Sequence, residues 1–490
     1  MLIERVRFTT SRVAVVGTLA VGLAFTPLYG RAAEPKPEHQ KLARELLAAL
    51  IETDTTHATG STTVAAELLA KRLRVAGFPA EDVQVLEGAP RKGNLVARLR
   101  GKNRSLPPLL LLAHLDVVAA DRADWSIEPF KFIERDGYFW GRGTTDDKDE
   151  CAIHVANLIR MKQEGFVPER DIVVALTSDE ESGNENGVEW LLEKHPALMK
   201  AALALNEGGG GASKQGVRIS NQVQASEKFV QNFELEVTDP GGHSSLPRAE
   251  NAVYRLSAAL LAVRDLVFPV RLNEVTRSFF ERSAAHEKDK ALAEAMRGVI
   301  AEPPLESAIT KLSAIPAYNS RLRTTCVVTE LAGGHAKNAL PQRAKANINC
   351  RILPDQTADE IEAALRTRIA DAKVTMRRLD STHGMASPPS PLTPGVLEAI
   401  EATTQELWPG VPVIPTMSTG ATDGLFLRKA GVPVYGVSGI FGDIDDVRAH
   451  GRDERLETKS FYEGLEFLYR LSTRLGRASN QQLSGMENAS

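Results

Sequence analysis

The segment Leu109-Leu110-Leu111-Leu112-Ala113-His114-Leu115-Asp116 decides the fold class. Its apolar run predicts a strand that is covered on both faces, as in a sheet between two layers of helices. Strand-like runs at 94–99, 172–176 and 202–205 alternate with helical patterns around it. Alternating strands and helices predict a layered α/β domain.

The pattern changes in the middle of the chain, where β-rich runs with their own helices begin, and α/β alternation resumes only after a proline-rich piece. We therefore expect residues 33–222 and 384–477 to form one α/β domain, and residues 223–383 to form a smaller α+β domain inserted into it. Within the inserted part, residues 273–320 form a long polar stretch. Residues 478–490 are predicted to be a polar tail.

Residues 1–32 have the pattern of a targeting segment. Three arginines in the first 12 residues precede an apolar run at 13–25, and small residues lead to a cleavage position after Ala32. A signal peptide predicts export, to the periplasm or the medium. The alternative, an uncleaved membrane anchor, is disfavoured because the run is shorter than the roughly 20 apolar residues that a span requires and contains Thr18.

Acidic and histidine side chains recur where the predicted strands end, the edge at which open α/β sheets place their sites. Taken one at a time, each of these acidic or histidine side chains can be explained as part of a solvated loop or of a surface pair. Together, these nitrogen and oxygen donors suit zinc in an open catalytic site, and two ions about 3.5–4 Å apart would need one bridging carboxylate. Each ion would also need two terminal ligands. The chain supplies Asp146 as the bridge and four terminal ligands: His114, Glu181, Glu207 and His450.

Two further carboxylates have predicted roles beside these ligands. Asp116 lies two residues beyond His114, on the same side of a strand, where it can accept the second ring N–H of that histidine. Glu180 precedes Glu181, and one of two adjacent glutamates can coordinate a metal while the other acts as the general base.

In this combination the chain resembles a family of co-catalytic zinc metallopeptidases and aminoacylases, which includes glutamate carboxypeptidase, aminoacylase, carboxypeptidase S and the carnosine-type dipeptidases. The resemblance rests on five blocks in the same order, His-x-Asp, Gly-Arg-Gly-x-x-Asp-Asp-Lys, Asp-Glu-Glu, Asn-Glu-Gly and a late His, between about Leu110 and Glu454. It implies a zinc-peptidase-like layered α/β catalytic domain with an inserted α+β lid or dimerisation domain. It also implies two zinc ions, with cobalt or manganese as possible substitutes, a cis peptide after Asp146, and Glu180 as the general base.

The inserted domain carries the family's second set of motifs. Asp239-Pro240-Gly241-Gly242-His243-Ser244-Ser245 resembles the motif whose histidine, here His243, reaches the scissile carbonyl, often across a dimer. Arg351 is similar to the residue that holds the substrate carboxylate, and bidentate pairing gives arginine a physical reason for that role. Asn338 and Gly420 match further substrate-binding positions. Asp149 departs from the family, which usually has glycine there.

The predicted function is that of an exported di-zinc hydrolase that cleaves the amide bond of peptides with a free C-terminal carboxylate, as a carboxypeptidase or dipeptidase. An N-acyl amino-acid deacylase is the alternative, because only the group in the acyl pocket differs. A non-catalytic zinc- or peptide-binding module is the third hypothesis, and the presence of Glu180 argues against it. The partner is a small peptide or N-acyl amino acid, with a possible homodimer through the lid.

Two minor expectations complete the prediction. A formal net charge of −4 gives no reason to expect nucleic-acid binding. Cys326 and Cys350 can pair if their strands are neighbours, but we expect separate, buried thiols.

Overall fold

The computed structural model describes residues 34–181, 185–379 and 384–484. The predicted signal peptide, residues 1–32, lies outside the described residues. In chain order the strands are β1 (Val83–Ala89), β2 (Lys92–Leu99), β3 (Leu109–His114), β4 (Ile133–Arg135), β5 (Tyr138–Trp140), β6 (Ile172–Thr177), β7 (Leu203–Asn206), β8 (Gly211–Lys214), β9 (Val217–Glu227), β10 (Phe229–Thr238), β11 (Gly242–His243), β12 (Thr325–Gly333), β13 (Ala339–Leu340), β14 (Arg343–Ile352), β15 (Thr375–Arg378), β16 (Val413–Ser418), β17 (Val434–Gly436), β18 (Phe441–Asp443) and β19 (Arg455–Glu457).

The helices surround these strands. In chain order they are α1 (Pro37–Ile51), α2 (Thr62–Val75), α3 (Lys148–Gln163), α4 (Gly187–Lys194), α5 (Pro196–Met199), α6 (Ala252–Arg264), α7 (Glu274–His286), α8 (Lys290–Val299), α9 (Glu306–Ser313), α10 (Pro316–Leu322), α11 (Ala358–Ile369), α12 (Pro394–Leu407), α13 (Gly424–Lys429), α14 (Thr458–Arg477) and α15 (Asn480–Ser484). In the part of the chain that is described, no helix combines the length and the apolar character needed to cross a bilayer.

The larger sheet has the order β1-β2-β6-β3-β7-β17-β9-β8-β18, with β16 paired to β9. Every residue of β3 is buried. Leu109 and Leu111 belong to the core beneath α1, α2 and α3, whereas Leu110 and Leu112 belong to a second core on the other face, beneath α4 and α13. The predicted layered α/β fold, with a strand covered on both faces, is confirmed.

The smaller sheet is antiparallel, in the order β12-β14-β10-β15, and its core includes Leu256 of α6 and Ile361 of α11. The chain enters this sheet at Phe229, because β9 stays in the larger sheet as far as Glu227. The predicted boundary at residue 223 therefore falls inside a strand of the larger sheet.

The stretch predicted to be long and polar forms the four helices α7 to α10. Phe280, Met296 and Leu312 build a small apolar core between these helices, and this core includes Ile414 of β16. The four helices thus pack on the larger sheet, although they lie in the chain between two parts of the smaller domain.

One local prediction is wrong. Cys326 and Cys350 are opposite each other in the β12–β14 pair, with their Cα atoms 4.1 Å apart, and form a disulfide instead of separate thiols. The polar tail begins with α15, which packs on α12 and buries Leu483. Residues 485–490 lie outside the described residues.

Candidate metal-dependent active site

The predicted ligands converge at the carboxyl ends of neighbouring strands. His114 is the last residue of β3, and β3 is parallel to both β6 and β7. Glu181 follows β6 and Glu207 follows β7, so the three side chains meet at one edge of the sheet. Asp146 comes from the loop before α3, and His450 from the loop between β18 and β19.

Asp146 stands between the two histidines. Its Oδ1 lies 3.0 Å from His114 Nε2, and its Oδ2 lies 2.9 Å from His450 Nε2. A terminal carboxylate accompanies each histidine, with Glu207 Oε1 3.9 Å from His114 Nε2 and Glu181 Oε1 2.8 Å from His450 Nε2. The structure therefore brings all five predicted ligands together, in two histidine–carboxylate groups that share Asp146.

Glu180 lies within the same cluster. Its ligand atom and those of His114 and Glu207 are all within 4.8 Å of one another, and so are those of His114, Asp146 and Glu181. Imidazole nitrogens and carboxylate oxygens at this spacing are a donor set that fits divalent ions. The cluster can hold a metal pair with a carboxylate between the ions.

The crowding of like charges perturbs several pKa values in the cluster. Burial and the neighbouring Glu207 carboxylate raise the pKa of Glu180 well above its usual value. Burial opposes protonation of His114, but the hydrogen bond with Asp146 and the nearby acidic side chains together raise the pKa of this imidazole well above its usual value. The hydrogen bond with Asp146, followed by that with Glu181, raises the pKa of His450 to about 10. Excess negative charge at a sheet edge is what a pair of cations would balance.

Asp116 differs from its prediction. His114 Nδ1 lies 3.0 Å from the main-chain carbonyl of Asp116 and 3.7 Å from its carboxylate, because β3 ends at His114 and the alternation of the strand no longer applies. The carboxylate instead accepts the main-chain N–H groups of Glu180 at 3.1 Å and Glu181 at 3.0 Å. Asp116 thus fixes the turn that carries the predicted base.

A buried ion pair that the sequence did not predict joins the two loops of the site. Arg142 Nη1 donates to Glu454 Oε2 at 2.5 Å, and Glu454 Oε1 accepts the main-chain N–H of Thr145 at 2.8 Å. Arg142 Nη2 also donates to the carbonyl of Gly451 at 3.0 Å. These bonds hold the residue before Asp146 and the residue after His450 together.

A second unpredicted group orients the Glu180 turn. Asp179 is buried, has φ of 64°, and accepts from Lys92 Nζ at 2.5 Å. His57 Nδ1 lies 2.8 Å from the same carboxylate oxygen. The sequence around His57 carried no signal of this contact, which joins residues 122 positions apart.

The predicted substrate residues of the inserted domain lie apart from these ligands. His243 of β11 is exposed, pairs with Ala339 of β13, and has its Nδ1 2.7 Å from Ser245 Oγ. The carbonyl of Asn338 accepts the N–H of Ser244 at 3.0 Å, so His243 and Asn338 share one end of the domain.

The other two predicted substrate residues lie nearer to the junction of the sheets. Arg351 of β14 donates from Nε to Asn349 Oδ1 at 3.2 Å. The N–H of Gly420, in the loop after β16, donates to Ser418 Oγ at 3.0 Å.

Comparison with known proteins gives a consistent answer. The family model described as Peptidase family M20/M25/M40 matches residues 110–474. The chain is 30% identical to the N-fatty-acyl-amino acid synthase/hydrolase PM20D1 of Xenopus tropicalis, over 76% of this chain and 73% of that protein. It is 29% identical to the probable carboxypeptidase S-like 2 of Dictyostelium discoideum, over 77% and 73% of the two chains.

Among solved structures, the M20 family metallo-carboxypeptidase Sso-CP2 of Sulfolobus solfataricus has a TM-score of 0.67 at 19% identity, covering 89% of this chain and 99% of that one. At this identity the likeness concerns the fold alone, and the fold is the one described above. With the family match over residues 110–474, the chain belongs to peptidase family M20/M25/M40 and is a metallohydrolase of that family.

Proposed function

We propose that the protein hydrolyses the amide bond of N-acyl amino acids that carry a free carboxylate. The observation that carries the proposal is the shared Asp146, whose two oxygens face two histidine–carboxylate groups with Glu180 beside them. The relative at 30% identity is named for N-fatty-acyl-amino acids, which favours an acyl group rather than a peptide in the substrate.

Two divalent ions, which we propose to be zinc with cobalt or manganese as substitutes, supply Lewis acidity and lower the pKa of water when bound. His114, Asp146 and Glu207 would hold one, and His450, Asp146 and Glu181 the other. Glu180 accepts the proton of the attacking water at its carboxylate and returns it to the leaving nitrogen.

Arg351 selects the substrate in this proposal. Its guanidinium is partly exposed and forms no ion pair with a carboxylate of the described residues, so it can pair with the carboxylate of a ligand. His243 supplies the hydrogen bond to the developing oxyanion. Because the contacts of His243 lie within its own loop and with β13, we propose that it serves the site of a second copy.

The inserted domain has a surface suited to such pairing. Strand β12 lies at the edge of the smaller sheet and exposes Val327 (59%) and Leu331 (67%). An exposed apolar edge strand is a common site of strand-to-strand association. Light scattering of the purified protein tests whether it is a dimer, and a monomer that is fully active would contradict the shared-site role of His243.

Cleavage of peptides, in the manner of a carboxypeptidase or dipeptidase, is the second candidate. It is favoured by the likeness to the probable carboxypeptidase S-like 2 at 29% identity. The two candidates use the same residues at the scissile bond and differ only in the acyl pocket.

We also propose that the protein is exported and that residues 1–32 are a cleaved signal peptide. The Cys326–Cys350 disulfide supports this, since disulfides persist mainly in oxidising compartments. Sequencing the N-terminus of the protein recovered from a periplasmic extract tests the cleavage after Ala32. An intact N-terminus in a cytoplasmic fraction would contradict it.

The function is tested by hydrolysis of a matched panel, which contains N-acetyl and N-oleoyl amino acids, dipeptides with the same C-terminal residue, and the C-terminal amide of each. We expect chelator-sensitive cleavage of the free-carboxylate N-acyl compounds. Faster cleavage of the dipeptides would select the second candidate. Cleavage that survives exhaustive chelation would contradict the mechanism.

A further inference from the structure

Three cationic side chains lie near one another where the chain passes from the larger to the smaller sheet. Lys228 links β9 to β10, its Nζ donates to the main-chain carbonyl of Arg323 at 2.6 Å, and the positive charges of Arg321 and Arg351 act on it. Arg321 lies two residues before Arg323, and this segment continues into β12, where Thr325 pairs with Arg351 of β14. We call Lys228, Arg321 and Arg351 the cationic cluster.

The cationic cluster has no carboxylate of its own. Within the described residues, no Asp or Glu oxygen forms an ion pair with any of its three members, which distinguishes them from Arg277, paired with Glu302 at 3.2 Å. Their hydrogen bonds go to uncharged acceptors: Arg321 to Ala317 O and Thr416 Oγ1, Arg351 to Asn349 Oδ1, and Lys228 to Arg323 O.

Burial makes this excess of positive charge costly. Lys228 is 0% exposed. Burial, with the positive charges of Arg351 and Arg321, lowers the pKa of Lys228 to about 7. Carbonyl and hydroxyl oxygens supply hydrogen bonds but little negative charge, so the charge of the cationic cluster stays uncompensated. A bound anion would compensate it.

The cationic cluster lies beside the predicted substrate residues. The N–H of Lys228 donates to the carbonyl of Ser418 at 3.0 Å, and Arg321 Nε lies 3.5 Å from Thr416 Oγ1. Both contacts are on β16, whose end leads directly to Gly420. Arg321 and Arg351 are the two members that are partly exposed and can touch a ligand. The ring of Phe279, 4.8 Å from the guanidinium carbon of Arg321, holds that side chain in place.

We infer that the cationic cluster is a dicarboxylate subsite, in which Arg351 binds the α-carboxylate and Arg321 binds the side-chain carboxylate of an aspartyl or glutamyl moiety. Lys228 supplies positive potential from behind. One α-carboxylate would leave most of the positive charge unmatched, whereas a second carboxylate reduces it. The inference rests on the proposed function and adds a substrate class to it, the N-acyl derivatives of acidic amino acids.

The test compares N-acetyl-L-glutamate with N-acetyl-L-glutamine, which has nearly the same shape but no side-chain charge. We expect the metal-loaded protein to prefer the glutamate compound in kcat/KM. The Arg321→Gln variant should lose about 10- to 100-fold on that compound, as expected for one charge-assisted hydrogen bond, and little on the glutamine compound. Arg321→Lys should recover part of the loss, and Arg277→Gln, whose arginine already has a carboxylate partner, should change neither rate.

Equal rates on the two compounds, or an equal loss on both in Arg321→Gln, would overturn the subsite. If only N-acyl derivatives of neutral amino acids are cleaved, the subsite fails and the proposed function stands. Binding of the same two compounds to the Glu180→Gln variant, measured by calorimetry, decides the subsite even if no compound is hydrolysed. Tighter binding of the glutamate compound that disappears in Glu180→Gln/Arg321→Gln supports it, and equal binding overturns it.

Discussion

Replacing Glu454 by glutamine should weaken the fold and release one metal ion selectively. The substitution keeps an acceptor for the N–H of Thr145 but removes the charge that faces Arg142 at 2.5 Å. The side chains of Arg142 and Glu454 are 3% and 0% exposed, so the guanidinium would remain buried without a counter-charge. Breaking a buried pair in this way costs about 3–5 kcal/mol.

The structure favours the lower end of that range. Arg142 keeps its bond to the carbonyl of Gly451 at 3.0 Å and its position 5.0 Å from the ring centre of Trp125. We therefore expect the free energy of unfolding to fall by ~3 kcal/mol. The pair joins the loops of Asp146 and His450, so the ion held by His450 and Glu181 should bind more weakly than the ion held by His114 and Glu207.

Urea unfolding measures the first effect, and metal analysis after dialysis against a buffered zinc series measures the second. Glu128→Gln is the matched control, because Arg122 and Glu128 also lie 2.5 Å apart but are 53% and 61% exposed. An exposed pair is worth about 0–1 kcal/mol, so this variant should stay close to the wild type. Equal destabilisation by the two substitutions, or equal weakening of both metal ions by Glu454→Gln, would refute the reasoning.

Three further predictions follow from the same structure. Glu180→Gln should lower kcat by ~10²–10⁴ while both metal ions stay bound, and a variant that retains wild-type turnover would exclude Glu180 as the base. Arg351→Ala should raise KM for free-carboxylate substrates and leave their C-terminal amides nearly unchanged; a parallel loss on both would show that Arg351 has only a structural part. Burial lowers the pKa of His154 to about 4, so the unfolded chain binds this proton first as the pH falls. Stability that is present above pH ~6.5 should therefore be lost between that value and pH ~4. The expected decrease in the free energy of unfolding from pH 7 to pH 5 is ~2 kcal/mol. Urea unfolding of His154→Gln should show a correspondingly smaller pH dependence, and an unchanged pH dependence would contradict the prediction.

The layered α/β fold could be predicted because its signal is local. β3 is a continuous apolar run, and its burial on both faces needs no knowledge of the rest of the chain. The metal ligands were predictable for a related reason. His114, Glu181 and Glu207 each follow a strand that could be recognised from its own residues, and the carboxyl ends of parallel strands share one edge.

The remaining features depend on contacts between distant segments or on where a strand ends. The Arg142–Glu454 pair joins residues 312 positions apart, and nothing near either residue specifies the other. The partner of Asp116 could not be predicted because it depends on β3 ending at His114. The Cys326–Cys350 disulfide requires the exact register of β12 on β14, which shifts at a bulge after Val328.

The helices α7 to α10 have a mechanical consequence for the inserted domain. Because they pack on β16, the chain passes between the two sheets at Lys228, between Phe268 and Val275, between Leu322 and Thr325, and between Arg378 and Ser390. A domain attached by two adjacent connections can rotate about them as a hinge. Any displacement of a domain attached by four connections changes the backbone at all four. We therefore expect any opening or closing of the inserted domain to move all four connections together, at the junction where the cationic cluster lies.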